Sequence, residues 1–180
     1  MPYPRRYPPV TEKKDPVALY ILAAALVIGA DQALKAWVSA HIPLNAAASE
    51  QVPLVPGLLH LTHIHNSGVA FGMLQGGRWV FLALLAVFAA VVVWALAARK
   101  LTAAWERWLA VIALAGAVGN GIDRLFHGFV VDMFELEFIR FAVFNIADFA
   151  INVSCIAFVI LTLFPKKERP PKADDASVGE

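Results

Sequence analysis

One cysteine, Cys155, stands in the whole chain, so no internal disulfide can form and cysteine usage says nothing about redox compartment. Charge is scarce too: 16% of the 180 residues are charged, against about 25% in an average soluble domain. The formal net charge of +1 offers no basic surface, and no nucleic-acid partner is expected. Apolar residues fill the gap. They make up 59% of the chain, above the roughly 45–50% of soluble domains, and mean hydropathy is +0.65. This composition excludes an ordinary water-soluble domain and indicates a membrane protein. Cys155 lies inside INVSCIAFVILTLF and reads as a small buried thiol rather than a nucleophile.

A helix needs about 20 mostly apolar residues to cross the hydrocarbon, where no water satisfies the backbone. Four segments qualify. They run from about Val17 to Val38, Trp79 to Ala98, Ala103 to Ile122 and Phe141 to Phe164. The second has no charge at all; the third has Glu106 and Arg107 in its first turn and is followed by Asp123 and Arg124. A cleaved secretory signal is the competing reading of the first, since Val38-Ser39-Ala40 has small residues suited to cleavage. Asp31 and Lys35 would then interrupt the signal just before its cut, which argues against it.

Lys and Arg set the orientation, because cytoplasmic flanks hold an excess of them. Arg5, Arg6, Lys13 and Lys14 precede the first helix, Arg99, Lys100 and Arg107 join the second to the third, and Lys166, Lys167, Arg169 and Lys172 follow the fourth. Both termini are expected in the cytoplasm. Residues 1–16 and 165–180, rich in Pro and charge, are expected to be disordered tails around a membrane domain of 17–164. The outward segments are then a β-rich stretch over 39–78 and a loop over 123–140. Leu58 to His65 has the composition of a strand, and Asn66-Ser67-Gly68 reads as a turn.

With this topology the polar residues fall at one depth. Asp31 and Lys35 lie near the outer end of the first helix, Asn120, Asp123 and Arg124 at that of the third, Asp132 in the loop, and Asn145, Asp148 and Asn152 near the start of the fourth. Charges in lipid are costly and mark functional sites. Asp31 and Lys35, four apart, can neutralise one another, as a structural brace or as part of the chemistry. Asn120 and Arg124 share a face and suit orienting a carboxylate or a substrate backbone; Asp123 is expected to cap or brace. Asp132 and Asp148 have no cation at helical spacing. Two carboxylates in a low-dielectric site cannot both ionise cheaply, so one keeps a proton while the other acts as base, as in an aspartic protease. A proton-coupled transporter could use the same pair. His60, His63 and His65 alternate along a strand and cannot easily converge on one metal, so they read as surface histidines.

Five motifs occur in order: Asp31-Gln32 with Lys35; Asn66-Ser67-Gly68-Val69-Ala70-Phe71-Gly72; Gly119-Asn120-Gly121-Ile122-Asp123-Arg124; Val130-Val131-Asp132; and Phe144-Asn145-Ile146-Ala147-Asp148. On these the chain resembles the lipoprotein signal peptidase (signal peptidase II) family of the bacterial inner, or cytoplasmic, membrane. The likeness covers all but the tails; Val69 stands where the family often has alanine. The resemblance implies a multi-pass protein whose fold is a four-transmembrane-helix bundle, mainly α, with a small β-sheet on the outer membrane surface. It implies Asp132 and Asp148 as catalytic, Asn66, Asn120, Arg124 and Asn145 as positioning substrate or dyad, and Asp31, Lys35, Gly68 and Asp123 as stabilising the site. The implied substrate is a diacylglyceryl-prolipoprotein cut just before its lipidated cysteine, met from membrane lipid near the outer face. Globomycin-type inhibition is implied, and no metal or organic cofactor. Trp37, Phe71 and Phe134 are candidates to line the lipid or peptide groove, and the loop over 127–140 to close upon it.

Overall fold

The computed structural model describes residues 17–68 and 77–164. The expected tails and the Val69 to Gly72 part of the second motif, Phe71 included, lie outside the described residues. Four helices dominate: α1 (Val17–His41), α2 (Arg78–Ala97), α3 (Ala104–Phe126) and α4 (Ile146–Leu163). At 18 to 25 residues each, they reach roughly 27 to 38 Å, enough for a hydrocarbon core of about 30 Å. Their outward faces are apolar. Leu22, Leu26, Leu84, Val87, Trp94, Ile156 and Val159 are all exposed, an arrangement that suits lipid and would aggregate in water.

α3 is the central helix, packed against α1, α2 and α4. Small residues make this possible: Ala113, Ala115, Gly116, Gly119 and Gly121 are buried along it. A Cβ on Gly116 would stand 2.5 Å from the Ala147 carbonyl oxygen, so α3 and α4 are in backbone contact there. α2, in contrast, buries only Val92 and packs against α3 alone among the described elements.

At one end of the bundle sits a three-stranded antiparallel sheet in the order β1 (Val52–Val55), β2 (Leu59–Asn66), β3 (Val130–Leu136). β1 is an edge strand and contains Pro53, a residue sheets tolerate at edges because it lacks an N–H. Val38 of α1 and Ile42, just past its end, pack with Leu61, Val131 and Met133 to form the core under the sheet. The β2–β3 register shifts between Leu61 and Ile64, a bulge that gives His63 an inward position.

Several expectations are corrected. β3 lies within the segment read as an outer loop; its pairing with β2 supplies the long-range hydrogen bonds that its mixed composition did not advertise. α3 continues to Phe126, placing Asp123 and Arg124 inside the helix, while α4 starts only after the Asn145 cap. His63 is buried, with its ring on the Ile42 carbonyl at 2.9 Å, and is no surface histidine. Cys155 and Asn152 are exposed on α4, so the thiol is not packed in a protein core and Asn152 does not join Asn145 and Asp148.

Gly116→Ala is expected to destabilise the protein by about 1–3 kcal/mol, since the added methyl must push α3 and α4 apart. Gly29→Ala, where a Cβ meets nothing within 4 Å, is the control. Thermal unfolding in detergent should show a lower midpoint for the first variant only.

Candidate active site

Lys35 is the charge centre. Its Nζ lies 2.7 Å from Asp31 Oδ2, one turn back on α1, and 2.9 Å from Asp123 Oδ2 on α3, with all three side chains almost fully buried. It also donates to Asn120 Oδ1 at 3.0 Å. The carboxylates have further work: Asp31 Oδ1 accepts from the Ala147 N–H at the start of α4 (2.9 Å), and Asp123 Oδ2 from the Val131 N–H of β3 (3.2 Å). Gln32 Nε2 completes Asp123 at 2.9 Å and reaches the Gly119 carbonyl at 3.1 Å. One ion cluster therefore ties α1, α3, α4 and β3 together.

Asp132 and Asp148 lie one layer away, held by amides. Asn145 caps α4: its Oδ1 accepts from the Asp148 N–H at 2.8 Å, while its Nδ2 donates to Asp132 Oδ1 at 2.6 Å and to Asn120 Oδ1 at 3.1 Å. Asn120 Nδ2 donates to Asp148 Oδ1 at 2.7 Å. Asn66, at the end of β2, donates to Asp132 Oδ2 at 2.9 Å and accepts from the Gly68 N–H at 3.1 Å, which fixes the expected turn. Three asparagines thus span both carboxylates, each fixed by a second bond of its own.

Burial is the main cause that pushes Asp132 up to about 7, and the Asp148 charge adds to it; the bonds from Asn66 and Asn145 and the Lys35 charge act the other way. Asp132 is 2% exposed. Near neutral pH this carboxyl therefore holds a proton much of the time.

Arg124 borders the site from the side. Its guanidinium lies over the Phe81 ring, 4.3 Å from the centroid, and donates to the Asn120 carbonyl at 3.4 Å. A groove of about 310 Å³ runs here between α2 and α4, with Phe81, Phe88, Asn120, Arg124 and Ile151 in its wall. It is open to the lipid side of the bundle and ends at the polar cluster.

A protein-family model described as signal peptidase (SPase) II matches residues 23–164. The chain belongs to the signal peptidase II family. A lipoprotein signal peptidase of Streptococcus pyogenes serotype M6 is 35% identical over 79% of this chain and 91% of its own length, and that of serotype M5 (strain Manfredo) is 34% identical over the same shares. Two solved bacterial membrane enzymes, both determined by the in meso method, are similar in structure. The first has TM-score 0.77 and 27% identity, covering 90% of this chain and 99% of its own; the second has 0.75 and 26%, covering 86% and 98%. The protein is accordingly a multi-pass bacterial membrane protease of lipoprotein processing.

The structure brings nine residues of this signal peptidase II chain together in one hydrogen-bonded and charged cluster: Asp31, Lys35, Asn66, Asn120, Asp123, Arg124, Asp132, Asn145 and Asp148, with Gly68 at the Asn66 turn. Sequence reasoning missed two contributors. Gln32 was read only as Asp31's neighbour in a motif, although its place one residue along the helix turns it toward α3. Phe81 had no signal in the charge-free second segment, because nothing local marks which aromatic ring an arginine will meet. Of the groove candidates, Phe134 stacks near Phe144 at 5.5 Å and packs on the sheet core, and Trp37 stacks on His41 at 4.8 Å and is 41% exposed.

Lys35→Met should cost about 3–5 kcal/mol of stability, because it leaves two buried carboxylates without their cation. Adding Asp31→Asn and Asp123→Asn to it should recover much of the loss. Detergent or denaturant unfolding of the single and triple variants checks this, and equal stability of the single variant and wild type would refute it.

Proposed function

We propose that this signal peptidase II is an aspartic endopeptidase in which Asp132 and Asp148 form the catalytic dyad. The single observation that carries the reading is the asparagine bridge: Asn145 binds Asp132 Oδ1 and, through Asn120, Asp148, so both carboxylates face one site. In this mechanism Asp148, ionised beside Asn120 and Arg124, takes a proton from a water as its oxygen attacks the scissile carbonyl. Asp132, carrying its proton, donates to that carbonyl oxygen as negative charge develops there. The tetrahedral intermediate collapses when the amide nitrogen receives a proton from the dyad, releasing the signal peptide.

The substrate is a prolipoprotein already bearing diacylglyceryl on the cysteine that follows the cut. The apolar groove beside Arg124 suits an acyl chain or signal helix arriving sideways through lipid, so the site needs no long aqueous channel. Arg124, held by Phe81, then orients the substrate backbone or Asp148, and Asn66 positions Asp132. The Lys and Arg distribution supports the orientation: the link from α2 to α3, with Arg99 and Lys100, faces the cytoplasm, and the sheet and dyad face outward. Both termini then lie in the cytoplasm of a cell whose inner membrane holds the protein.

Asp132→Asn and Asp148→Asn are each expected to abolish cleavage of a purified diacylglyceryl-prolipoprotein in a gel-shift assay, with the fold intact and with wild-type cleavage blocked by globomycin. Arg124→Ala should lower kcat/KM by about 100-fold or more, in the range expected when an electrostatic or positioning group is lost. Substantial turnover by either aspartate variant would refute the dyad.

The mechanism needs one proton on the pair. Asp132 loses its proton as pH rises through about 7, so kcat/KM should fall about tenfold per unit on the alkaline limb. A rate that stayed flat from pH 7 to 9 would contradict Asp132 as the acid.

A further inference from the structure

β2 carries three histidines, and they fall into two groups. His60 is bracketed by Glu135 of β3 and Glu137 just beyond it, with Nε2 2.9 Å from the first carboxylate and Nδ1 3.2 Å from the second. Both of its nitrogens are therefore taken, by groups on opposite edges of the ring. His63 and His65, two apart along the strand, instead meet each other: Nε2 lies 3.1 Å from Nε2.

Each of these two rings is also held from behind. His63 is buried, and its Nδ1 lies 2.9 Å from the Ile42 carbonyl oxygen. A carbonyl only accepts, so Nδ1 carries the proton and the neutral ring keeps its lone pair on Nε2. His65 stacks on Phe129, with centroids 3.7 Å apart and planes 19° from parallel, yet it remains exposed, so the pair borders water. Partial burial, with the charges of His63 and His127 added, pushes the His65 ring below the usual histidine value and keeps it neutral near pH 7.

A carbonyl on one imidazole nitrogen and a lone pair on the other is how proteins present histidine to a metal. Two such nitrogens bound to one ion at about 2.0–2.1 Å stand about 2.9 Å apart at a right angle and about 3.3 Å apart at the tetrahedral angle. The observed 3.1 Å falls between these values. We propose that His63 and His65 bind one divalent transition-metal ion that favours imidazole, Zn²⁺ or Cu²⁺, through both Nε2 atoms. The proton that bridges the two rings passes through water to His65 Nδ1, and each Nε2 lone pair then goes to the metal. Among the described residues no group of three His, Cys, Asp or Glu side chains could hold a metal ion, so water completes the coordination and the ion is exchangeable. Bound there, it would tie positions 63 and 65 together one residue before Asn66, which reaches Asp132 at 2.9 Å. The binding itself does not rest on the catalytic assignment.

The test is calorimetric titration of Zn²⁺ into the untagged full chain in detergent near neutral pH. Wild type should bind one ion per chain, and His65→Gln should weaken binding at least about tenfold, the scale on which metal sites lose affinity when a supporting group is removed. His60→Gln should bind as wild type does. With one equivalent of Cu²⁺, pulsed electron paramagnetic resonance should show two coordinating imidazole nitrogens in wild type and one in His65→Gln. No Zn²⁺ uptake by wild type, or equal affinity in His65→Gln, overturns the proposal, and so does a loss confined to His60→Gln. Because His65 is exposed, metal-free His65→Gln should unfold at the wild-type midpoint. Should that variant fail to fold, the wild-type copper spectrum decides: fewer than two imidazole nitrogens removes the site.

Discussion

The structure depends on a single buried cation. Lys35 sits in an apolar bundle with two carboxylates on it, and such charges are tolerable only while every partner stays in place, because the desolvation cost is several kcal/mol per ion. Asp31 and Asp123 extend that demand outward. Each holds Lys35 and also a backbone N–H from another element, Ala147 of α4 and Val131 of β3. A shift of any one of these four elements would strand a charge. Ionic clusters of this kind add little net stability over well-packed apolar residues; they restrict the fold to one arrangement, and here that arrangement aligns Asp132 with Asp148.

The amides transmit this rigidity to the carboxylates. Lys35 fixes Asn120, Asn120 binds Asp148, and Asn145 links Asn120 to Asp132. Amide side chains suit the task because they donate and accept without carrying charge, so they orient acids without neutralising them. Carboxylates paired directly with Lys or Arg would be pinned ionised and poor at sharing a proton. Lys35 thus stays one bond away from Asp148, and Arg124 is drawn to the Phe81 ring rather than to a direct ion pair.

Much of this was legible in the chain. Four apolar runs declared the four helices, and confining Asp and Asn to one depth located the cluster, since polar groups in lipid have few permissible reasons to be there. What local sequence could not show was pairing. The stretch from Val130 to Leu136 is mixed in composition and reads as a loop; it becomes a strand because β2 is positioned beside it by α1. His63 alternates like a surface residue, and only the bulge between Leu61 and Ile64 turns it inward. Asn152 keeps helical register with Asp148 yet is exposed, because a spacing rule gives a shared face without saying how far that face extends into the bundle. The end of α3 was read short for a related reason: Asp123 and Arg124 look like terminal polar residues until their partners across the bundle are known.

α2 explains the remaining shape. It has no polar residue beyond its first turn and no partner but α3 among the described elements, so a cleft lies on each side of it. These clefts lie toward opposite ends of α2, one against α4 beside Arg124 and the other against α1 beside Arg107. The first of them ends at Asn120 and Arg124 of the polar cluster. A fully packed fourth helix would bury more surface but would close both. In a bilayer that burial is worth little, since lipid tails solvate Leu and Val as well as another helix does. The loosely packed helix therefore costs the fold little, and it leaves a cleft on each side of α2.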